Sequence, residues 1–298
     1  MIFSKTNNMD KRIIISGSEG FLGRHLCENL MCSDLSGGGY KIVRKIDVAN
    51  GDDLCDPNTV AELPSFDCFI HLANILYVPD SYLNPERYYR VNYLSTLNAI
   101  EACRKNKAQL IYLSSYIYGS PQYLPVDENH PVNPFNPYAQ TKVICEKLCE
   151  GYHRDFGVPV TVLRPFNIYG AGQKGKLLIP EIVSQIGEGK TTIQLKDPTP
   201  RRDFVNVKDV CEAIKACIGT EHGYSVYNIC SGRSVSVREL TEIINKQLNN
   251  KITFEFAESD RPSEVDETRG SYAKIQQSLG WKPKVDIEQG LREILHEF

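Results

Sequence analysis

No apolar run in the 298-residue sequence approaches the roughly 20 residues that a membrane-spanning helix needs, so no such span is expected. No Cys-x-x-Cys pair occurs among its ten cysteines (27, 32, 55, 68, 103, 145, 149, 211, 217 and 230). Most alternate with apolar neighbours, as in Asp67-Cys-Phe-Ile70. They read as buried free thiols suited to a reducing cytoplasm, with no metal site and no disulfide framework. Excess charge is also lacking: the net charge is -3 and no block of basic residues stands out. Nucleic acid and an anionic membrane are therefore not expected as partners. The first ten residues have no apolar centre of the kind a signal peptide carries and read as a polar leader. Without an internal repeat or a low-complexity linker, two lobes are expected to interleave along the chain.

The composition, 41% hydrophobic and 24% charged, is that of an ordinary soluble protein with a large core. Arg12-Ile-Ile-Ile-Ser16 is a β-branched run of the sort that forms a buried parallel strand. It feeds Gly17-Ser-Glu-Gly20-Phe-Leu-Gly23 and then a helical segment, the order a phosphate-binding βα unit requires. Tyr40–Ile46 reads as the second strand and ends at Asp47, whose carboxylate can hold ribose hydroxyls and repel a 2′-phosphate. That favours NAD, with Arg24, Arg44 and Lys45 near enough in sequence to keep NADP open; the alternative for Asp47 is a plain turn residue. Asp53-Leu54-Cys-Asp56 follows so soon that a third strand there is either tightly joined or vestigial. Phe66 to Asn74 is a buried strand ending in small residues, which let a cofactor pass close to the backbone; His71 within it reads as a packed core histidine. Glu86–Lys107 is helical, with Asn92 in its middle and Tyr88, Tyr89, Tyr93 and Leu97 as one apolar face for core or dimer contact.

A central stretch runs from Ser114 to Lys142. A strand ends in Ser114-Ser115, a Pro- and Asn-rich loop follows, and a helix opens with Pro137-Tyr138-Ala-Gln-Thr-Lys142. Residues four apart share a helix face, so an ammonium at 142 stands beside the phenol at 138 and lowers its pKa. A hydroxyl from the strand end, Ser114, can meet that phenol over a shared substrate oxygen, making a proton donor or acceptor beside a carbonyl. Tyr-x-x-x-Lys alone also fits a half-buried tyrosine with a solvated lysine. Its position, behind a nucleotide-binding pattern and a strand ending in serine, favours the chemical reading.

Val158–Leu163 is a further strand, ending in Arg164-Pro-Phe-Asn167-Ile-Tyr-Gly170, a polar set where open α/β sheets bind ligands. A helix from about Ile179 to Glu188, an extended segment Thr191–Leu195 and another helix after Asp209 are expected. Arg202 is a candidate for a substrate phosphate, with a salt bridge to Asp203 or Asp209 as the alternative. Ser236 and Glu239 form a capping box.

On these motifs together with Asn228 and Leu279-Gly-Trp281-Lys-Pro283, the chain resembles the extended short-chain dehydrogenase/reductases of the NAD-dependent epimerase/dehydratase family, which act on nucleotide sugars. The resemblance implies an α/β fold: a Rossmann doubly wound parallel sheet with a smaller, interleaved C-terminal α/β substrate domain. Its boundaries are expected at 11–168, with 202–229 returning to the Rossmann domain, and 169–201 with 230–298 for the substrate domain. It implies NAD or NADP held by Gly17, Glu19, Gly20, Phe21, Leu22, Gly23, Asp47, Asp53, Leu54, Leu72, Ala73, Asn92 and Pro165, together with Tyr138 and Lys142. Ser114, Tyr138 and Lys142 are the implied catalytic residues. Ser115, Asn167, Arg202 and Arg261 are candidates for binding a nucleotide diphosphate sugar. A homodimer through a four-helix bundle of helices near 86–106 and 137–155 is the family's usual assembly.

The family's 4,6-dehydratases place an acidic pair directly after the catalytic Ser or Thr; here those positions are Ser115 and Tyr116. Dehydration is therefore not expected. The reading is NAD(P)H-dependent reduction of a nucleotide-linked 4-keto-6-deoxy sugar at C4. The alternative is a 4-epimerase with tightly bound NAD, and a remote one is a dinucleotide-binding protein without chemistry.

Overall fold

The computed structural model describes residues 10–35, 39–220, 223–257 and 265–296. The first elements are β1 (Lys11–Ser16), α1 (Phe21–Leu35), β2 (Tyr40–Ile46), α2 (Pro57–Ala61), β3 (Cys68–His71), α3 (Val78–Leu83), α4 (Pro85–Asn106), β4 (Gln109–Leu113) and α5 (Pro137–Phe156). They continue as β5 (Val160–Pro165), β6 (Asn167–Tyr169), α6 (Leu178–Gly187), β7 (Thr192–Leu195), β8 (Arg201–Asn206), α7 (Val207–Cys217) and β9 (Tyr224–Ile229). The last are β10 (Ser234–Ser236), α8 (Val237–Gln247), β11 (Thr253–Phe256), α9 (Ala273–Leu279) and α10 (Ile287–Leu295).

Six strands form one sheet in the order β2-β1-β3-β4-β5-β9. Ile13, Ile14 and Ile15 are wholly buried in β1, which pairs in parallel with β2 on one side and β3 on the other. The winding reverses between β1 and β3, the switch point where doubly wound sheets bind ligands. The turn after β1 is packed so closely that glycine is required. Gly17 has φ +73°, and a Cβ there would lie 2.7 Å from the Ala73 nitrogen. A Cβ on Gly23 would sit 2.0 Å from the Gly17 oxygen, so α1 leaves the turn with no room for a side chain.

Of the two readings of the segment near Asp53, a tightly joined third strand or a vestigial one, the second fits: no strand forms between β2 and β3. Asp47 caps a single 3-10 turn, Val48–Asn50, Asp56 caps α2, and the next strand of the sheet is β3. Capping carboxylates satisfy helix-terminal amides, which turns this segment away from strand geometry. The tyrosine face expected on α4 is split. Tyr88 is buried with Asn92, Ser95, Thr96, Ala99 and Ile100, whereas Tyr89 and Tyr93 are 37% and 38% exposed. At about 100° per residue, position 89 cannot share the inward face of 88 and 92.

Contacts divide the chain into two compact units. Of the described residues, one comprises those up to Ser114 with Asn136–Val162 and Cys217–Ser225; the other comprises Ser115–Phe135, Leu163–Ala216 and those from Val226 on. In the second unit β10, β8 and β6 form a three-stranded sheet, and β11 pairs with β7. Ile179, Ile182, Ile193, Leu240, Ile244 and Leu291 share a core there. Among the described residues no helix is long and apolar enough to cross a membrane.

Candidate active site

Helix α5 begins where Asn136 accepts a hydrogen bond from the Ala139 amide at 2.8 Å, with Pro137 in the first turn. Both are strong helix-start signals, and they set the phase of the helix. That phase puts Tyr138, Lys142 and Glu146 on one stripe, a turn apart. The stripe meets the end of β4. The Lys142 ammonium, almost wholly buried, donates to the Leu113 carbonyl at 2.8 Å. It lies 5.0 Å from the centre of the Tyr112 ring and 5.8 Å from that of Tyr138. Burial lowers the Lys142 pKa to about 8, partly opposed by Cys145 and Glu146. The next residue, Ser114, is buried and donates its hydroxyl to Glu146 Oε1 at 2.5 Å.

Asn92 ties this group to the strand ends. Its Oδ1 accepts from the Ile75 amide at 2.9 Å, and its Nδ2 donates to Thr141 Oγ1 at 2.9 Å and to the Ile75 carbonyl at 3.1 Å. His71 is fully buried between Ser16 Oγ (2.8 Å) and Thr96 Oγ1 (3.1 Å), and burial lowers its pKa to about 3.

Around the glycine turn, Asp47 Oδ2 accepts from the Glu19 amide at 2.9 Å and Oδ1 from the Ala49 amide at 2.9 Å. Gly20 is exposed, Phe21 stacks edge-on against His25, and Leu22 is buried. Arg24 donates to the Glu19 carbonyl at 2.7 Å, and Arg44 pairs with Asp52 at 2.8 Å. Asp53 closes its own turn on the Cys55 amide, and the Leu54 carbonyl accepts from Asn98. The Leu72 amide donates to the Ser16 carbonyl, and the Ala73 amide reaches Ser16 Oγ at 3.4 Å.

A dinucleotide suits this surroundings on a count of polar atoms. Ser18 Oγ and both ends of the Asn74 amide are buried with no hydrogen-bond partner among the described residues. Buried polar groups are rarely left so, and these belong to the turn after β1 and the loop after β3, at the switch point. Sequence reasoning did not single out Ser18 or use Asn74 as a ligand.

In the second unit Ser115 is half-buried. Tyr116 donates its hydroxyl to the Gly119 carbonyl at 2.7 Å, its ring packs edge-on against Phe166, and burial raises its pKa to about 12. Pro165 is buried at the end of β5, and Asn167 is exposed with its Nδ2 donating to the Asp203 carbonyl at 3.1 Å. Arg202 donates to the carbonyls of Arg201 (2.9 Å) and Val265 (2.6 Å). The carboxylates offered as its ion-pair partners are engaged with main-chain amides instead. Asp203 accepts from the amides of Ser231, Gly232 and Gly270, and from the Ser231 hydroxyl. Asp209 accepts from the amides of Lys284 and Val285. Arg261 lies outside the described residues.

A family model described as GDP-mannose 4,6 dehydratase matches residues 40–294. The chain belongs to this family. Like the other extended short-chain dehydrogenase/reductases to which the GDP-mannose 4,6-dehydratase family is related, it is an enzyme built on a Rossmann fold. It is 34% identical over 302 residues to GDP-6-deoxy-D-mannose reductase of Pseudomonas aeruginosa, covering 97% of this chain and 98% of that one. A putative UDP-glucose 4-epimerase of Methanocaldococcus jannaschii is 31% identical over 302 residues, with 95% of this chain and 97% of that one covered. Among solved structures, RMD from Pseudomonas aeruginosa complexed with NADPH superposes with a TM-score of 0.85 at 31% identity, covering 96% of this chain and 98% of that one.

Glu146 is the residue that sequence reasoning missed. It stands one further turn along the Tyr138–Lys142 stripe, and that spacing was the available signal.

Proposed function

We propose that the chain reduces a nucleotide-linked 4-keto-6-deoxy sugar at C4 with NADH or NADPH. One observation carries this: beside the Tyr138, Lys142 and Ser114 group, the two positions that follow Ser114 carry no acid. Positions 115 and 116 are Ser and Tyr, and the Tyr116 hydroxyl is held by the Gly119 carbonyl. Removing a C5 proton and expelling water needs a base there, so family membership alone does not make this chain a dehydratase. Its similarity to GDP-6-deoxy-D-mannose reductase supports the same choice.

The dinucleotide would be held by the amides of the Gly17–Gly23 turn, by Ser18 and Asn74, and by Asp47 at the ribose. When bound, its dihydronicotinamide supplies a hydride to C4. Tyr138 gives the C4 oxygen its proton, so one hydride and one proton turn the ketone into an alcohol. Lys142 stabilises the negative charge that then develops on the phenol oxygen, and Ser114 aligns the reacting oxygen. Asn92, buried and bonded to Thr141, holds α5 in place and acts through position alone. The first unit takes the dinucleotide; Ser115, Asn167 and Arg202 of the second take the nucleotide diphosphate sugar, the guanidinium meeting its phosphates.

A homodimer through α4 and α5 is part of the proposal, since Tyr89, Tyr93 and Phe156 are exposed on these helices. A cytoplasmic setting fits the free thiols.

The test is absorbance at 340 nm with a nucleotide-linked 4-keto-6-deoxy sugar and NADH or NADPH. Stoichiometric loss is expected. Interconversion of C4 epimers with no net cofactor change would establish the second reading, which the similarity to the putative UDP-glucose 4-epimerase favours.

A further inference from the structure

We propose that Glu146 is a positioning residue that fixes the Ser114 hydroxyl at the reacting oxygen. The inference rests on the C4 chemistry above, whether reduction or epimerisation. Glu146 is only 5% exposed, and a carboxylate taken out of water is costly unless hydrogen bonds compensate it. Part of its compensation comes from Ser114, whose hydroxyl donates to Oε1 at 2.5 Å. A serine hydroxyl has one proton and two lone pairs. With the proton on a carboxylate that is itself fixed in the third turn of a capped helix, the side chain has one rotamer and its lone pairs point away from Glu146. A serine at a strand end otherwise turns freely among three rotamers.

The carboxylate also shares the stripe with Lys142. The groups facing that ammonium are Tyr138, Cys145, Glu146 and Cys149 on α5, Tyr112 on β4 and His71 on β3. Among them Cys145, Glu146 and Cys149 oppose the effect of burial, so loss of the Glu146 charge lets the Lys142 pKa fall further. One side chain therefore serves both neighbours of Tyr138: the serine by a hydrogen bond, the lysine by charge.

The experiment uses the full chain with Glu146→Met, which removes the acceptor, and Glu146→Gln, which keeps an acceptor oxygen without charge. Ser114→Ala and the Ser114→Ala/Glu146→Gln double variant complete the set. Glu146→Met is expected to lower kcat about ten-fold or more while KM and dinucleotide affinity, read by fluorescence titration, stay within about twofold. Glu146→Gln recovers part of kcat and moves the alkaline limb of the pH profile to lower pH. In the Ser114→Ala background, on the plateau below the alkaline limb, Glu146→Gln changes kcat by less than about twofold. Wild-type kcat in Glu146→Met overturns the proposal, as does a full additional loss on top of Ser114→Ala. Should the Met variant fail to fold, Glu146→Gln and the double variant decide. A crystal structure of Glu146→Gln or Glu146→Met with Ser114 in its original rotamer and equally ordered overturns it whatever the substrate. A wild-type chain inactive as both reductase and epimerase sinks the functional reading alone.

Discussion

The ammonium of Lys142 is hydrogen-bonded to the carbonyl of Leu113, the residue immediately before Ser114. A cation is thus buried at a strand end, where its pKa is brought down to about 8 from an ordinary 10.5. Between these values the unfolded chain binds a proton that the folded chain has released, so stability rises with pH through that window. Below it, the folded protein carries the cost of burying the charge. Lys142→Met is expected to abolish turnover and yet stabilise the fold at pH 7, by on the order of 1–3 kcal/mol. Denaturant unfolding at pH 7 and pH 10 checks this; a destabilised Met variant at pH 7 refutes it.

Tyr138→Phe removes the proposed proton donor and keeps the ring on the stripe. Turnover should fall by about a thousand-fold or more with dinucleotide affinity nearly unchanged. Steady-state kinetics beside a binding titration separate the two, and unchanged turnover removes Tyr138 from the mechanism.

Asp47 faces the glycine turn through the Glu19 amide, and Arg44 is already paired with Asp52. A carboxylate here repels a 2′-phosphate, so NADH should be preferred. Asp47→Ser should shift the ratio of kcat/KM toward NADPH by about ten-fold or more. An unmoved ratio places the selectivity elsewhere.

Gly23→Ala puts a methyl group against the Gly17 carbonyl. The turn and α1 must separate, at a cost of about 1–3 kcal/mol, and dinucleotide affinity should fall with the melting temperature. Thermal melts with and without NADH test this; a variant with wild-type Tm and affinity would show that the contact relaxes freely.

His71 stays neutral when folded, its pKa lowered to about 3 from an ordinary 6.5. Below pH 6.5 the unfolded chain gains a proton that the folded chain refuses, so stability falls with decreasing pH by up to about 1.4 kcal/mol per unit. His71→Gln should flatten this slope between pH 6.5 and 5. Parallel curves for both chains would assign the acid sensitivity to other groups.

Much of the fold was legible because its signals are local. The β-branched run before three glycines marks β1 and the turn, and Asn136-Pro137 marks the start of α5. Whether a third strand forms near Asp53 stayed open because Asp47 and Asp56 divert the chain into caps, an effect of side-chain oxygens that hydrophobic pattern does not register. Glu146 was passed over for a related reason. A glutamate on a helix reads as solvated until its partner is known, and Ser114 lies 32 residues away in sequence. Asp203 was weighed as the counter-ion of its neighbour, whereas its ligands are amides at 231, 232 and 270, which no local spacing announces.

That convergence on Asp203 makes the second unit's assembly all-or-none at this point. Two segments far apart in the chain, 231–232 and 270, close on its two oxygen atoms, and neither gains its bonds until the aspartate is already in place. Hydrogen exchange at 231, 232 and 270 should therefore report one shared opening event, and the loops that carry these amides cannot loosen independently while the carboxylate stays seated.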